Sequence, residues 1–414
     1  MKNANPAFLM FRPFALFSIA TLSICMGCQK VDSPPTSNSE LGIRQSTITG
    51  TQPTDEECQA FANSFIAALE VGDLNQVNDL INWNAILDRA ISGIPSKKSL
   101  VDGFRQGFLQ SVKGPAGVAG QIIQQLQLGG EYTDLRIHDV NGEKRVLFRF
   151  LLGNDGGINY HDMILAKDQQ GQVRAVDIYV FLSAEFMSQS FRRAFIPLAA
   201  EGSKSIFARL TQSENDFVKH IDKIQEMANL LRTGQYVGVD RIYRTLPESL
   251  QREKSILLIR MQAAVQVNEK LYAESIDAFQ RFHPQDACID MMSIDGFLMK
   301  KQFAKAFECI DRLDNSVGGD PYLNVLRANA KLQQQENSEA KKFAKLAIEQ
   351  EPDAFAGYQA LINVSIADKN FDETVRILND VQTKFEIEFD DFTQIEEFSD
   401  FVESPQYKKW IELQ

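Results

Sequence analysis

Residues 337–371 read NSEAKKFAKLAIEQEPDAFAGYQALINVSIADKNF. Ala340, Ala344 and Ala347 recur at helical spacing, Pro352 interrupts the run, and Tyr358 and Leu361 open a second helical pattern that ends before Phe371. Sliding the chain against itself by 34 residues superimposes Phe303, Asn337 and Phe371. The same shift superimposes Ala306, Ala340 and Thr374, then Ile310, Ala344 and Leu378, then Leu313, Ala347 and Val381. Each set occupies one face of the second helix of a helix pair, so the stretch predicts stacked helical hairpins.

A bulky residue before the second helix, a small residue three positions later and a proline near the end of the unit resemble the tetratricopeptide repeat, and Ala340, Ala344, Ala347 and Pro352 carry that pattern. The small residue is required where two helices cross closely. Tyr236 and Tyr272 occupy the place of Phe303 in earlier, less regular units, spaced 36 and 31 residues, which gives three to five units over residues 215–385. Asp290 and Asn324 stand where the family has an aromatic residue at the start of the first helix. The resemblance implies a groove built from the first helices that binds proteins or peptides. A plain helical bundle is the alternative.

Beyond the array, residues 386–414 hold eight carboxylates between Glu386 and Glu403 without Lys or Arg, interleaved with Phe389, Phe392, Ile395, Phe398 and Phe401 at steps of three. This segment, with Tyr407 and Trp410, reads as capping helices packed on the last unit. An acidic partner-binding tail is the other reading.

Residues 55–200 have a different texture. Phe61, Phe65, Ala68 and Leu69 mark a first helix, residues 74–91 a second, and Phe104, Phe108 and Val112 a third, with more helix to Leu128. At Gly129-Gly130 the period changes to two. Four strands follow, 132–140, 143–152, 158–167 and 172–181, separated by Asn141-Gly142 and two further Gly-containing turns, and a helix over 183–199 closes the unit. The fold class expected is therefore an α+β N-terminal domain with a four-stranded antiparallel meander, followed by an all-α solenoid of tetratricopeptide type. The meander ending in GQVRAVDIYVF resembles the nuclear-transport-factor-2-like and cystatin-like superfamily, although three helices before the sheet exceed its usual number.

Symmetric closure of the turns pairs Phe150 with Tyr160, Phe148 with Asp162, Asp162 with Asp177 and Tyr160 with Tyr179. One face then carries Leu135, Ile137, Val146, Phe148, Phe150, Ile164, Ala175 and Phe181, with Tyr160, Asp162, Asp177 and Tyr179 set among them. The resemblance implies that this face is a ligand pocket, which makes those four its candidate residues. Two aspartates sharing one pocket would raise one pKa and create a proton carrier; alternatively they bond backbone or adjacent helices. His138 and His161 are expected on the opposite face with Arg136, Arg149 and Arg174.

The first 27 residues read as a signal peptide: Lys2 and Arg12 precede an uncharged run of 15 residues, Phe14 to Cys28, short of the roughly 20 that span a bilayer. Gly27-Cys28 resembles the end of a bacterial lipobox, which implies diacylation of Cys28 and a protein anchored in the cell envelope, facing the periplasm or exterior. Cys25 replaces the usual Leu, so plain cleavage and a retained anchor stay open. Residues 28–54, rich in Ser, Thr, Pro and Gly, read as a tether. Cys58, Cys288 and Cys309 are spaced as core thiols, a bridge between the last two being the alternative.

A formal charge of −12 and the absence of a Lys/Arg stripe exclude a nucleic-acid surface. Four histidines without ligand spacing give no metal site, and no cofactor motif or catalytic constellation stands out. The resemblance to tetratricopeptide repeats and to a lipobox implies a non-enzymatic, envelope-anchored adaptor or scaffold for protein or peptide partners. A small-molecule or acid/base site on the sheet of the first domain is the alternative.

Overall fold

The computed structural model describes residues 2–4, 52–153, 157–202, 204–389 and 392–413. Most of the signal segment, Cys28 and most of the tether lie outside them. Helices dominate except for one antiparallel sheet. The chain divides into two compact units at Ile289/Asp290, so the helices of residues 210–289 group with the sheet, whereas the change of sequence texture falls near 200–210.

Helix α1 (Asp55–Glu70) begins in a capping box, Thr54 accepting from the Glu57 amide at 3.3 Å while Glu57 accepts from the Thr54 amide at 2.8 Å. It buries Phe61, Phe65 and Leu69. The helix expected over 74–91 is two, α2 (Leu74–Leu80) and α3 (Trp83–Ile91). Ile81 bridges to Ala175 of the sheet, and the Asn82 amide donates to the Ala175 carbonyl at 2.8 Å. Asn82 also caps α3 through the Ala85 amide, so an Asx side chain and a sheet edge together outcompete helix continuation. Helices α4 (Lys98–Val112) and α5 (Val118–Gln127) complete the layer.

The sheet has five antiparallel strands in sequential order: β1 (Glu131–Val140), β2 (Glu143–Leu151), β3 (Ile158–Lys167), β4 (Val173–Val180) and the added β5 (Glu185–Phe186). Asn141 and Gly142 both have positive φ, 54° and 79°, as a two-residue hairpin turn of the primed type requires. A bulge at Leu135 interrupts β1, and another follows Ile164 in the β3–β4 ladder.

The register differs from symmetric closure. Phe150 pairs with Asn159, Phe148 with His161 and Arg149 with Tyr160, because the turn closes on Leu152 and Gly157, the Leu152 amide donating to the Gly157 carbonyl at 2.9 Å, one residue short of symmetric closure. A slip of one residue exchanges faces. Val146, Phe148 and Phe150 thus join Tyr132, Met163, Leu165, Ala175 and Ile178 in the core under α1, α3 and α5, away from the candidate aspartates. Between β3 and β4 the shift is two, Asp162 opposing Tyr179 and Ile164 opposing Asp177, which preserves the face on which the four candidate residues lie.

His161 consequently points into the core, 4 % exposed, where Nδ1 meets the Tyr132 hydroxyl at 2.9 Å and Nε2 meets Asn159 at 3.0 Å. The expectation that His138 and His161 share a face is therefore corrected. Helix α6 (Met187–Gly202), starting four residues later than its sequence pattern, packs on α3 and β4.

The helices that follow are α7 (Gln212–Lys219), α8 (Ile221–Arg232), α9 (Tyr236–Tyr243), α10 (Glu248–Gln251), α11 (Lys254–Val267), α12 (Glu269–Phe282) and α13 (Cys288–Met299). After them come α14 (Phe303–Val317), α15 (Tyr322–Gln333), α16 (Asn337–Gln350), α17 (Phe355–Ala367) and α18 (Phe371–Phe385). Helices α14, α16 and α18 start at Phe303, Asn337 and Phe371, the 34-residue step read in the sequence. Ala306, Ala340 and Thr374 are all fully buried, as are Ile310, Ala344 and Leu378. Where α17 crosses α16, a Cβ on Gly357 would lie 2.9 Å from Ile348, so hydrogen is the side chain that fits.

Phe392, Ile395, Phe398, Phe401, Tyr407 and Trp410 share a core with Ile377, Leu378 and Val381 of α18. The steps of three belong largely to 3₁₀ turns, Phe392–Gln394 and Glu396–Phe398, whose period is three, followed by α19 (Ser399–Glu403) and α20 (Pro405–Leu413). Lys2–Ala4 runs parallel to Ile387–Phe389. Cys58, Cys288 and Cys309 are buried thiols with no bridge among the three. No helix among the described residues is long and apolar enough to cross a membrane.

Burial lowers the His161 pKa from 6.5 to about 4. The unfolded chain therefore takes up a proton between those values that the folded one refuses, so stability is full above pH 6.5 and falls as pH drops toward 4. His161 contributes a loss of about 2.5 kcal/mol between pH 7.5 and 4.5. Urea unfolding across that range should show it, and His161→Gln should lose that part of the slope.

Candidate functional site

On the outer face of the sheet, Tyr160 and Asp177 are fully buried and Asp162 nearly so. Asp162 accepts from His138 Nε2 at 2.8 Å and from Arg145 Nη1 at 3.1 Å. Arg145 also reaches Glu143 at 2.9 Å, Glu143 accepts from Arg89 of α3 at 3.4 Å, and Arg89 lies 3.9 Å from Asp177. Asp177 is held chiefly by the first turn of α6: Ser188 donates its hydroxyl at 2.5 Å and its amide at 3.2 Å, and the Ile178 amide adds a third bond at 3.0 Å.

The two aspartates are thus neither cross-strand partners nor a pair sharing a proton. Each carboxylate has its own cation and donors, joined in one charged chain from His138 to Ser188. Burial pushes the Asp177 carboxyl up, with Ser188 and Arg89 opposing it. Tyr179 donates to Asp286 at 2.7 Å and packs edge-on to Phe181 and Phe186. Burial and the Asp286 charge push its phenol up, while Lys254 and Tyr179 hold Asp286 low against its own burial. Tyr160 packs tilted against Phe181, ring centroids 5.2 Å apart.

Sequence reasoning brought the right four residues to one face and missed Arg145, Arg89, Ser188 and Asp286, which neutralise or bond three of them. The alternation Arg145-Leu147-Arg149 was the available signal: on the corrected register those residues line the aspartates' face. Among the described residues no group of His, Cys, Asp or Glu could hold a metal ion.

The C-terminal unit holds a cleft of about 610 Å³ between the second helices α14 and α16, floored by α15. Its shape starts at the turn, where Gly318 and Gly319 take φ of 79° and 99°, Asp314 accepts from the Asp320 amide at 3.1 Å, and Asp320 accepts from the Tyr322 amide at 2.9 Å. Arg327, 8 % exposed, forms the floor. Its guanidinium bonds Asp311 and Asp314, both at 2.8 Å, and Asn324 at 3.0 Å; Asn324 in turn donates to Gln350 at 2.8 Å.

Asn324 is the departure from the aromatic residue implied by the repeat resemblance. A small amide there leaves the volume that an aromatic ring would fill. Phe307, Phe343 and Leu346 supply apolar walls, Leu346 being 37 % exposed, and Lys331 sits 4.9 Å over the Phe307 ring. Asp311, Asp314 and Asp320 against one lining Arg leave the cleft acidic. The arrangement suits a segment that inserts an apolar side chain and brings positive charge; the carboxylates and amides offer recognition rather than a nucleophile.

No protein-family model matches the chain, and a search of curated proteins returns no significant match.

Two measurements probe these networks. Carbon-detected NMR titration should place the Asp177 midpoint above the ordinary aspartate range and move it further up in Ser188→Ala, which removes the hydroxyl's bond to the ionised form and keeps the amide's; no further rise would remove the Ser188 hydroxyl from that role. Arg327→Leu should destabilise the C-terminal helices by about 1–3 kcal/mol, below a fully buried pair because Asp311 is largely exposed, whereas Asp311→Ala should cost under about 1 kcal/mol. Equal losses in urea unfolding would contradict Arg327 as the floor.

Proposed function

We propose that this protein is a non-enzymatic adaptor of the bacterial envelope, tethered through a lipid on Cys28 and binding a protein or peptide partner through its C-terminal helical stack. The observation that carries this reading is the acidic, apolar-walled cleft around Arg327. Standing carboxylates and exposed Leu346 give a site for a segment whose apolar side chain is flanked by basic ones, and the −12 net charge would speed the approach of such a partner.

The 34-residue step of helix starts supports a tetratricopeptide-type stack as the scaffold, because each pair buries its small-residue face on the next and leaves its outer faces free for recognition. The Ser/Thr/Pro-rich stretch after Cys28 supports a tether long enough to set the folded units away from a bilayer.

Quantitative proteomics on detergent-solubilised membranes should recover a partner set with the wild-type chain that Leu346→Asp loses at least tenfold, since the wall that receives the partner's apolar side chain would become charged. Identical recovery by the two chains would overturn the cleft as the binding site. Mass spectrometry of the mature N-terminus should find diacylated Cys28, and Cys28→Ser should release the protein to the soluble fraction.

A further inference from the structure

Asn159 and His161 lie two residues apart on β3, both buried, and their bonds fix where the imidazole proton sits. Asn159 Oδ1 accepts from two backbone amides, that of Tyr160 at 2.9 Å and that of Leu182 at 3.0 Å. Both partners are donors, so the amide oxygen and nitrogen cannot trade places, and Nδ2 is the atom turned to His161 Nε2 at 3.0 Å. An amide nitrogen only donates. His161 Nε2 therefore accepts, the neutral ring carries its proton on Nδ1, and Nδ1–H donates to the Tyr132 hydroxyl oxygen at 2.9 Å. Tyr132 of β1 is the one titratable side chain bonded to the ring; Phe148 and Phe150 of β2 and Val180 of β4 are its other neighbours in the sheet. Burial alone lowers the His161 pKa, with no contribution from a charged side chain among the described residues.

Leu182 belongs to the 3₁₀ turn Phe181–Ser183, which carries the chain from β4 to β5. Directly after it Ala184 takes a φ of 56°, a left-handed conformation that a residue with a Cβ adopts only at a cost. Phe181 of the same turn packs against Tyr160 and Tyr179, with ring centroids 5.2 and 5.5 Å apart, and α11 packs on the turn. Asn159 thus ties a core histidine on one side of the sheet to the cover over the tyrosines on the other.

We infer that Asn159 and His161 form an acid-operated latch, in which protonation of His161 turns Asn159 away from the Leu182 amide and releases the 3₁₀ turn from Tyr160 and Tyr179. Protonation puts an N–H on Nε2, so that two donors face each other. The local remedy is to turn the Asn159 amide over and present Oδ1 to the imidazolium. That same rotation sets Nδ2–H against the Tyr160 and Leu182 amides, leaving both without an acceptor. The left-handed Ala184 adds to the drive for release. In the closed latch His161 titrates at about 4, and in the open one near the ordinary value of about 6.5. The open-to-closed ratio therefore rises about tenfold per pH unit as pH falls below 6.5 and levels off below 4.

The test uses the full chain. At pH 7.5 a long-range ¹H–¹⁵N spectrum should show His161 protonated on Nδ1 and bare on Nε2; the opposite tautomer would overturn the inference. Native-state hydrogen exchange, corrected for the intrinsic rate at each pH, should show protection of the Leu182 amide falling at least tenfold from pH 6.5 to 4.5. Low urea should leave Leu182 exchange unchanged while speeding that of the Phe65 amide in α1. Equal urea dependence at the two amides would mean unfolding of the whole unit rather than a latch. His161→Gln, whose side-chain oxygen accepts from Asn159 at any pH, should hold Leu182 protection constant within twofold. Asn159→Asp should reverse the sign, because a carboxylate accepts from both backbone amides and from the imidazolium: proton affinity of His161 should rise at least tenfold, and acid should no longer release Leu182. A fall in Leu182 protection that survives His161→Gln, or a His161 midpoint unmoved by Asn159→Asp, would equally sink the latch.

Discussion

The bond from the Leu152 amide to the Gly157 carbonyl decides the chemistry of the whole sheet. By pairing Leu152 with Gly157 it sets the parity of β2 against β3. Phe148 and Phe150 then face the helices, where they pack with Phe65 and Tyr132, and Arg145 and Arg149 face outward toward Asp162 and Tyr160. With the opposite parity, two arginines would enter the core and the aspartates would sit among phenylalanines, an arrangement whose desolvation cost would exceed anything the turn could supply. The neighbouring backbone defends that geometry. Gly153 lies so close to α5 that a Cβ there would fall 2.6 Å from the Gln125 carbonyl, and its amide is bonded by the Gln125 side chain at 3.1 Å.

What could be read from the sequence follows from how far each signal reaches. The 34-residue phase is local: Phe303, Asn337 and Phe371 fix helix starts by spacing alone, and the structure puts those starts where the spacing does. Strand existence and the Asn141-Gly142 turn were equally legible. The face of β2 was not, since it hangs on one residue in a turn held by Gln125, 28 residues upstream of Gly153. The break at Ile81–Asn82 was hidden for the same reason, its cause being an edge carbonyl at Ala175. At the C-terminus the aromatic step of three was visible, and its meaning, 3₁₀ turns rather than one helix, lay in the number itself.

The candidate residues on the sheet illustrate how a shared face can be read while the partners of its side chains stay hidden. Tyr160, Asp162, Asp177 and Tyr179 do share a face, because the β3–β4 shift was even. Their partners arrive from α3, α6 and residue 286, at separations no local pattern encodes, and those partners turn a pair of aspartates into a compensated ionic framework. In the helical half the reverse occurred. Asn324 read as a flaw in the repeat, and it is the residue that makes room for the cleft.

The two edges of the sheet carry a last consequence. The outer edge, β1, is bent by the bulge at Leu135 and bears Arg136, His138 and Asp139 along its length, while the other edge is the two-residue β5. A bulged, charged strand and a stub are poor templates for another chain's backbone. Free sheet edges expose a protein to β-mediated aggregation. Here that route is blunted at both ends of the sheet, and the surfaces that stay open are helical ones, which offer side chains rather than unpaired backbone.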